Sequence, residues 1–181
     1  MLKPPTEDIR RVVTAVDKDG KAIIQFDSAN PHKRVREGRG TVSRLLWTTN
    51  EMPAEVGGGV DRGTVEVPIA PRKGGSIFRI VDIPPITPDI EALPKDYHSS
   101  QHGEGTPKRH MPATHPLMHA TRSIDYAIVM HGEIVMLVDD GVEVTVKAGD
   151  VIVQQATNHA WINRSKDFCR IAFVLIDSQE P

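Results

Sequence analysis

The sequence predicts an all-β domain, and three observations predict it. Short apolar segments recur at regular spacing, each is closed by Gly, Pro or Asp turn chemistry, and no stretch of confident length repeats apolar residues at the helical period. At 181 residues the chain is one ordinary domain's worth of sequence and long enough to bury a core of its own.

Val12 to Gln25 places an apolar stretch on each side of Asp17-Lys18-Asp19-Gly20 and predicts a β-hairpin. Ser43 to Trp47 and Ile77 to Ile83 follow as strands. Gly57-Gly58-Gly59 and Arg72-Lys73-Gly74-Gly75 precede the second of these, and Pro84-Pro85 stops it. Residues 1–83 therefore form an N-terminal strand extension. Pro84 to Pro116 is a long loop rich in Pro, Gly and polar residues, with a helical turn expected near Asp89 to Leu93. Within it Tyr97 to Thr114 is expected to be a mobile cover, the plain alternative being a surface connection. From Leu117 onward the strands are dense: Ile134 to Val138, Val142 to Val146, Val151 to Val153, His159 to Asn163 and Cys169 to Ile176, with turns at Asp139-Asp140-Gly141 and Lys147-Ala148-Gly149-Asp150. Residues 117–177 carry the barrel.

Composition removes several function classes. Lys and Arg total 22 against 24 Asp and Glu, with no basic stripe, so nucleic acid is not the expected partner. The longest apolar run, Ile171 to Ile176, is far short of the roughly 20 residues of a membrane helix. The N-terminal residues lack an apolar signal region and Cys169 is the single cysteine, so a reducing cytoplasm is expected. Gly57-Gly58-Gly59 lacks the Lys-Ser/Thr of a phosphate loop, and neither a Gly-x-Ser-x-Gly elbow nor a His-Glu-x-x-His helix occurs.

Two short segments carry the chemistry. In the first, His119-Ala-Thr-Arg-Ser-Ile-Asp125 is followed by six residues and Gly132. In the second, Gly149-Asp150 leads through a strand to His159 and, four residues later, Asn163. These segments resemble the two metal-site motifs of the cupins, over roughly Pro116 to Asp177. The resemblance implies a jelly-roll β-barrel, here with additional N-terminal strands and a long loop before the first motif. It also implies one divalent transition metal, Fe, Mn, Ni or Zn, held by His119, Asp125 and His159. The usual pattern has three histidines and a glutamate; here Leu117 or Thr121 occupies the place of the other histidine and Asp125 that of the glutamate. Gln154 or Gln155 stands where a turn proline is usual, and Ala156 where a glycine is.

Two imidazoles and one carboxylate on one face of an ion make a facial triad that leaves positions open for substrate or dioxygen. Strand alternation puts His159, Trp161 and Asn163 on one face, so Trp161 is expected to wall the pocket, and one of Gln154 and Gln155 must face inward. His115 is a further pocket candidate, with a loop position as the plainer reading. His98, His102 and His110 are expected to be solvent-exposed unless the cover closes on substrate. Tyr126 should face away from Asp125, His131 should be at the surface, and Cys169 should be an inert buried thiol.

The function expected is that of a metal-dependent cupin enzyme acting on a small oxygenated molecule, of lyase, dehydratase, decarboxylase, isomerase or oxygenase type. The alternative is a non-catalytic ligand-binding cupin with a degenerate metal site. Val135 and Leu137, apolar on the face opposite Ile134 and Met136, together with the N-terminal strands, predict a homodimer.

Overall fold

The computed structural model describes residues 8–29, 32–36, 38–98, 106–107 and 111–180. His102 and His110, and most of the expected cover, lie outside the described residues.

The N-terminal hairpin forms as the turn chemistry requires: β1 (Arg10–Val16) pairs with β2 (Ala22–Ala29), and Asp17 accepts the backbone N–H groups of Asp19 and Lys21 on its side chain. It makes a two-stranded sheet of its own rather than extending the barrel's sheets. What ties it down is Arg11, buried on β1, whose guanidinium reaches the Leu46 carbonyl and the Asp61 carboxylate. The paired guanidinium holds Asp61 below the usual carboxylate range.

The remaining strands are β3 (Lys33–Arg36), β4 (Thr41–Thr49), β5 (Ser76–Ile83), β6 (Ser123–His131), β7 (Glu133–Leu137), β8 (Glu143–Lys147), β9 (Val151–Gln155), β10 (Ala160–Ile162) and β11 (Cys169–Asp177). The short β3, with its four-residue Lys-Arg-Val-Arg pattern, is not evident from hydrophobic alternation. A six-stranded antiparallel sheet runs β3-β4-β5-β11-β6-β9 and faces a three-stranded sheet β10-β7-β8. Thus β4 and β5, from the N-terminal part, lie in the same sheet as the motif-bearing β6. A short helix, α1 (Pro88–Glu91), is the expected helical turn; Pro88 sits in its first turn and Ile90 is buried.

Between the sheets, Leu45, Ile77, Val129, Ile134, Trp161 and Phe173 belong to one buried cluster. Period-two alternation on β6 sends Ser123, Asp125, Ala127 and Val129 inward and Tyr126, Ile128 and Met130 outward. Val135 and Leu137 are covered by the chain itself, packing with Met118, Ala160 and Ile162 in a second cluster. That face is therefore filled and is not available to a partner.

Two turns keep the geometry their motifs need. Gly132 has φ 73°, and a Cβ there would lie 2.6 Å from the Phe168 carbonyl oxygen, so only glycine fits. Ala156, where glycine is usual, adopts φ 51° all the same: the turn keeps its left-handed backbone at an alanine's expense.

Candidate active site

His119 and His159 are brought together by their backbones. Each donates its N–H to the other's carbonyl at 2.9 Å, an isolated antiparallel bridge that sets the ring centroids 4.4 Å apart. His119 Nδ1 lies 3.0 Å from the Leu117 carbonyl oxygen, and His159 Nδ1 lies 2.9 Å from that of Thr157. A carbonyl only accepts, so Nδ1 carries the proton in both neutral rings and Nε2 carries the lone pair. This is the outer-shell arrangement typical of metal-binding histidines.

Both rings line a cavity of about 150 Å³ between the two sheets, together with Asp125, Trp161, Asn163 and Phe173. Asp125, 5% exposed, accepts a hydrogen bond from Ser123 Oγ at 2.5 Å, and Ser123 in turn lies 3.0 Å from Thr121 Oγ1. Burial pushes the Asp125 carboxyl up to about 6, against the opposing pull of the Ser123 hydrogen bond and the Arg79 charge. Trp161 stands edge-on to His159 and Phe173, with centroids 5.8 and 5.6 Å away, and lines the cavity.

Asn163 is a structural fastener. Its amide nitrogen donates to the Ile83 and Asp167 carbonyls, and its oxygen accepts from Ser165. Of the two glutamines, Gln154 faces inward, opposite Asp125 on the neighbouring strand, and Gln155 faces out. Both amide atoms of Gln154 are buried without a hydrogen-bond partner among the described residues.

Other expectations need correction. His98 is not exposed: it is 7% accessible, its N–H donates to the Pro116 carbonyl at 3.0 Å, and its ring meets that of His119 edge-on at 4.4 Å. Distance in sequence hid this third imidazole, which reaches the site only because its loop folds back onto the residues before His119. His115 is not among the cavity's lining residues; its Nδ1 accepts the Leu117 N–H, which turns the ring into part of the local loop. Arg36, Arg39 and Arg79 line the cavity and were not singled out from the sequence. Arg79 was legible, since it interrupts the apolar inward face Ile77, Val81, Ile83 of β5.

His131, Tyr126 and Cys169 stand as expected. His131 is exposed and stacks on Phe168, Tyr126 faces outward, and the Cys169 thiol, fully buried, is pushed up to about 12 by desolvation.

Two imidazoles binding adjacent positions of one ion have centroids roughly 4.5 Å apart, given metal–nitrogen bonds of about 2 Å. The His119–His159 and His98–His119 spacings, both 4.4 Å, match that value. Even so, among the described residues no group of three His, Cys, Asp or Glu side chains is close enough together to hold an ion. The donor types suit a transition metal, and the pairwise imidazole spacing suits it too; the set is not closed.

The two-sheet antiparallel barrel thus holds a pair of inward histidines between its layers. No family model matches the chain. It is 26% identical over 182 residues to the cupin-domain-containing oxidoreductase srdD of Neurospora crassa, covering 98% of this chain and 79% of that protein. It is 28% identical over 177 residues to the cupin-domain-containing oxidoreductase fogC of Aspergillus ruber, covering 94% and 73% respectively. Similarity to the oryzines biosynthesis cluster protein J of Aspergillus oryzae is 27% over 177 residues, covering 94% and 84%. This fold, these motifs and these near-full-length similarities support the chain as a member of the cupin superfamily. No helix among the described residues is long and apolar enough to cross a membrane.

Proposed function

We propose that the chain is a cupin enzyme that converts a small oxygenated organic molecule with the help of one divalent transition metal. The observation that carries this reading is the His119–His159 pair: both rings are fixed by Nδ1–H bonds to backbone carbonyls, so both offer Nε2 in one cavity. His119, His159 and Asp125 would hold the ion, with His98 as a further imidazole donor. A bound Fe, Mn, Ni or Zn ion would supply Lewis acidity or, for iron, a site for dioxygen. Names of relatives, oxidoreductases and a biosynthesis cluster protein, support the redox side of that chemistry.

The chain's own residues do the rest. Trp161 and Phe173 keep water from the apolar side of the cavity, while Ser123 orients the Asp125 carboxylate. With its pKa near 6, Asp125 also exchanges a proton within the physiological range when it is not bound to an ion. Elemental analysis of untagged protein tests the reading. Near-stoichiometric metal in the wild type, and a loss of about tenfold or more in His119→Ala and His159→Ala, is expected; near-zero metal in all three overturns it. The second reading, a ligand-binding cupin without metal, is favoured by the open donor set and gains from that outcome.

We propose in addition that two copies pair through the outer face of β6 and β9. Tyr126, Ile128, Met130, Val151 and Val153 are exposed there side by side, and β9 is an edge strand, so a two-fold arrangement buries the same apolar patch twice.

A further inference from the structure

Most of the described arginines pair with a carboxylate. Arg10, Arg11, Arg44, Arg62, Arg164 and Arg170 each bind an aspartate or glutamate. Arg36, Arg39 and Arg79 form no ion pair among the described residues, and all three line the cavity that holds His119 and His159. Asp125 is the single carboxylate among the described lining residues, so with neutral histidines those residues carry an excess of two positive charges.

Local structure fixes these charges in place. Arg36 closes β3 and Arg39 lies in the following turn, where the N–H groups of Arg39 and Gly40 both donate to the Arg36 carbonyl. The Arg39 guanidinium lies over the Tyr97 ring at 5.2 Å, and its Nη2 is buried without a hydrogen-bond partner among the described residues. Arg79 donates to the Ile69 carbonyl at 3.0 Å. Desolvation holds Arg36 and Arg39 below the ordinary arginine range, and for each the next cause is a neighbouring arginine. Guanidinium groups in excess of the nearby carboxylate in a partly desolvated wall cost stability until an anion meets them, and their forked geometry suits a planar carboxylate. Val81, Ile83, Ile86, Ile90 and Phe173 make an apolar part of the same wall.

We propose that the cavity binds a small organic carboxylate, its anionic end on Arg36 and Arg39 with Arg79 deeper in, and its apolar body against Val81, Ile86 and Phe173. This names the substrate class of the site and rests on the reading of that cavity as the active site. The volume, about 150 Å³, is that of a cavity able to hold a benzene-sized body.

Benzoate and benzamide are the probes, since they share size and shape and differ in charge. Each is titrated against wild type, Arg39→Gln and the double variant Arg36→Gln/Arg39→Gln, in metal-loaded and in chelator-treated protein, with thermal unfolding to confirm that each variant folds. Benzoate is expected to bind wild type about tenfold or more tightly than benzamide, with or without metal. The preference should shrink in Arg39→Gln and vanish in the double variant, while metal content stays unchanged. Failure of benzoate to saturate, equal binding of the two probes, or a preference that survives the double variant and disappears only on chelation would each overturn the proposal. A preference that depends on the arginines in a protein devoid of metal would leave the carboxylate site standing and remove the metal.

Discussion

Asp125 and Gln154 face each other across β6 and β9, both almost fully buried, and neither is the other's hydrogen-bond partner. The carboxyl is satisfied in part by Ser123 Oγ, and the amide by nothing among the described residues. In a well-packed barrel such a polar pair costs stability, and its place beside the paired histidines is where a protein accepts that cost for function.

For Asp125 the cost depends on pH. Its folded pKa of about 6 lies above the unfolded value near 3.8, so the folded state binds more protons between these limits and stability falls as pH rises through them. Asp125→Asn, which keeps an oxygen to accept from Ser123, is expected to stabilise the metal-free protein at pH 7.5 by roughly 2–3 kcal/mol. Urea unfolding at several pH values checks this, with the gap closing below pH 4. The same substitution should lower metal content.

Gln154→Met replaces an unsatisfied buried amide with an apolar chain of similar length. Thermal unfolding of metal-free protein should show a gain of about 1–2 kcal/mol. A loss instead would mean that the amide has a bound partner that the folded chain retains.

Ala156 holds a left-handed φ of 51° that glycine adopts at no steric cost. Ala156→Gly is expected to stabilise by about 1 kcal/mol, read as a rise in the urea midpoint at constant m-value.

Behind the cavity, Asp82 accepts from Arg44 at 2.6 Å and from Arg170 at 2.6 and 3.0 Å, with Arg44 and Asp82 wholly buried. Asp82→Ala leaves a buried guanidinium without its counter-charge and should cost about 3–5 kcal/mol, seen as partial or complete unfolding in circular dichroism.

Light scattering at micromolar concentration is expected to return twice the 20.0 kDa chain mass, and Ile128→Glu, on the outer face of β6, to return the single-chain mass. A wild-type monomer would remove the proposed pairing through β6 and β9.

Much of this protein was legible in its residues alone. Period-two alternation and turn chemistry are local, so they determined the hairpin around Asp17 to Gly20, the strands from Ile134 onward, that one of Gln154 and Gln155 faces inward, and the outward side of Tyr126. The motif spacing likewise marked His119, Asp125 and His159. What only the tertiary structure decided are the relationships between residues far apart in the chain. His98 reaches His119 because a loop bends back to Pro116, Asp82 is neutralised by arginines 38 residues before and 88 residues after it, and Arg36 and Arg39 enter the cavity because β3 joins a sheet edge. The physical reason is that burial and charge pairing are properties of packed surfaces: a sequence shows which face a side chain takes on its strand, and only the folded sheets show what that face meets.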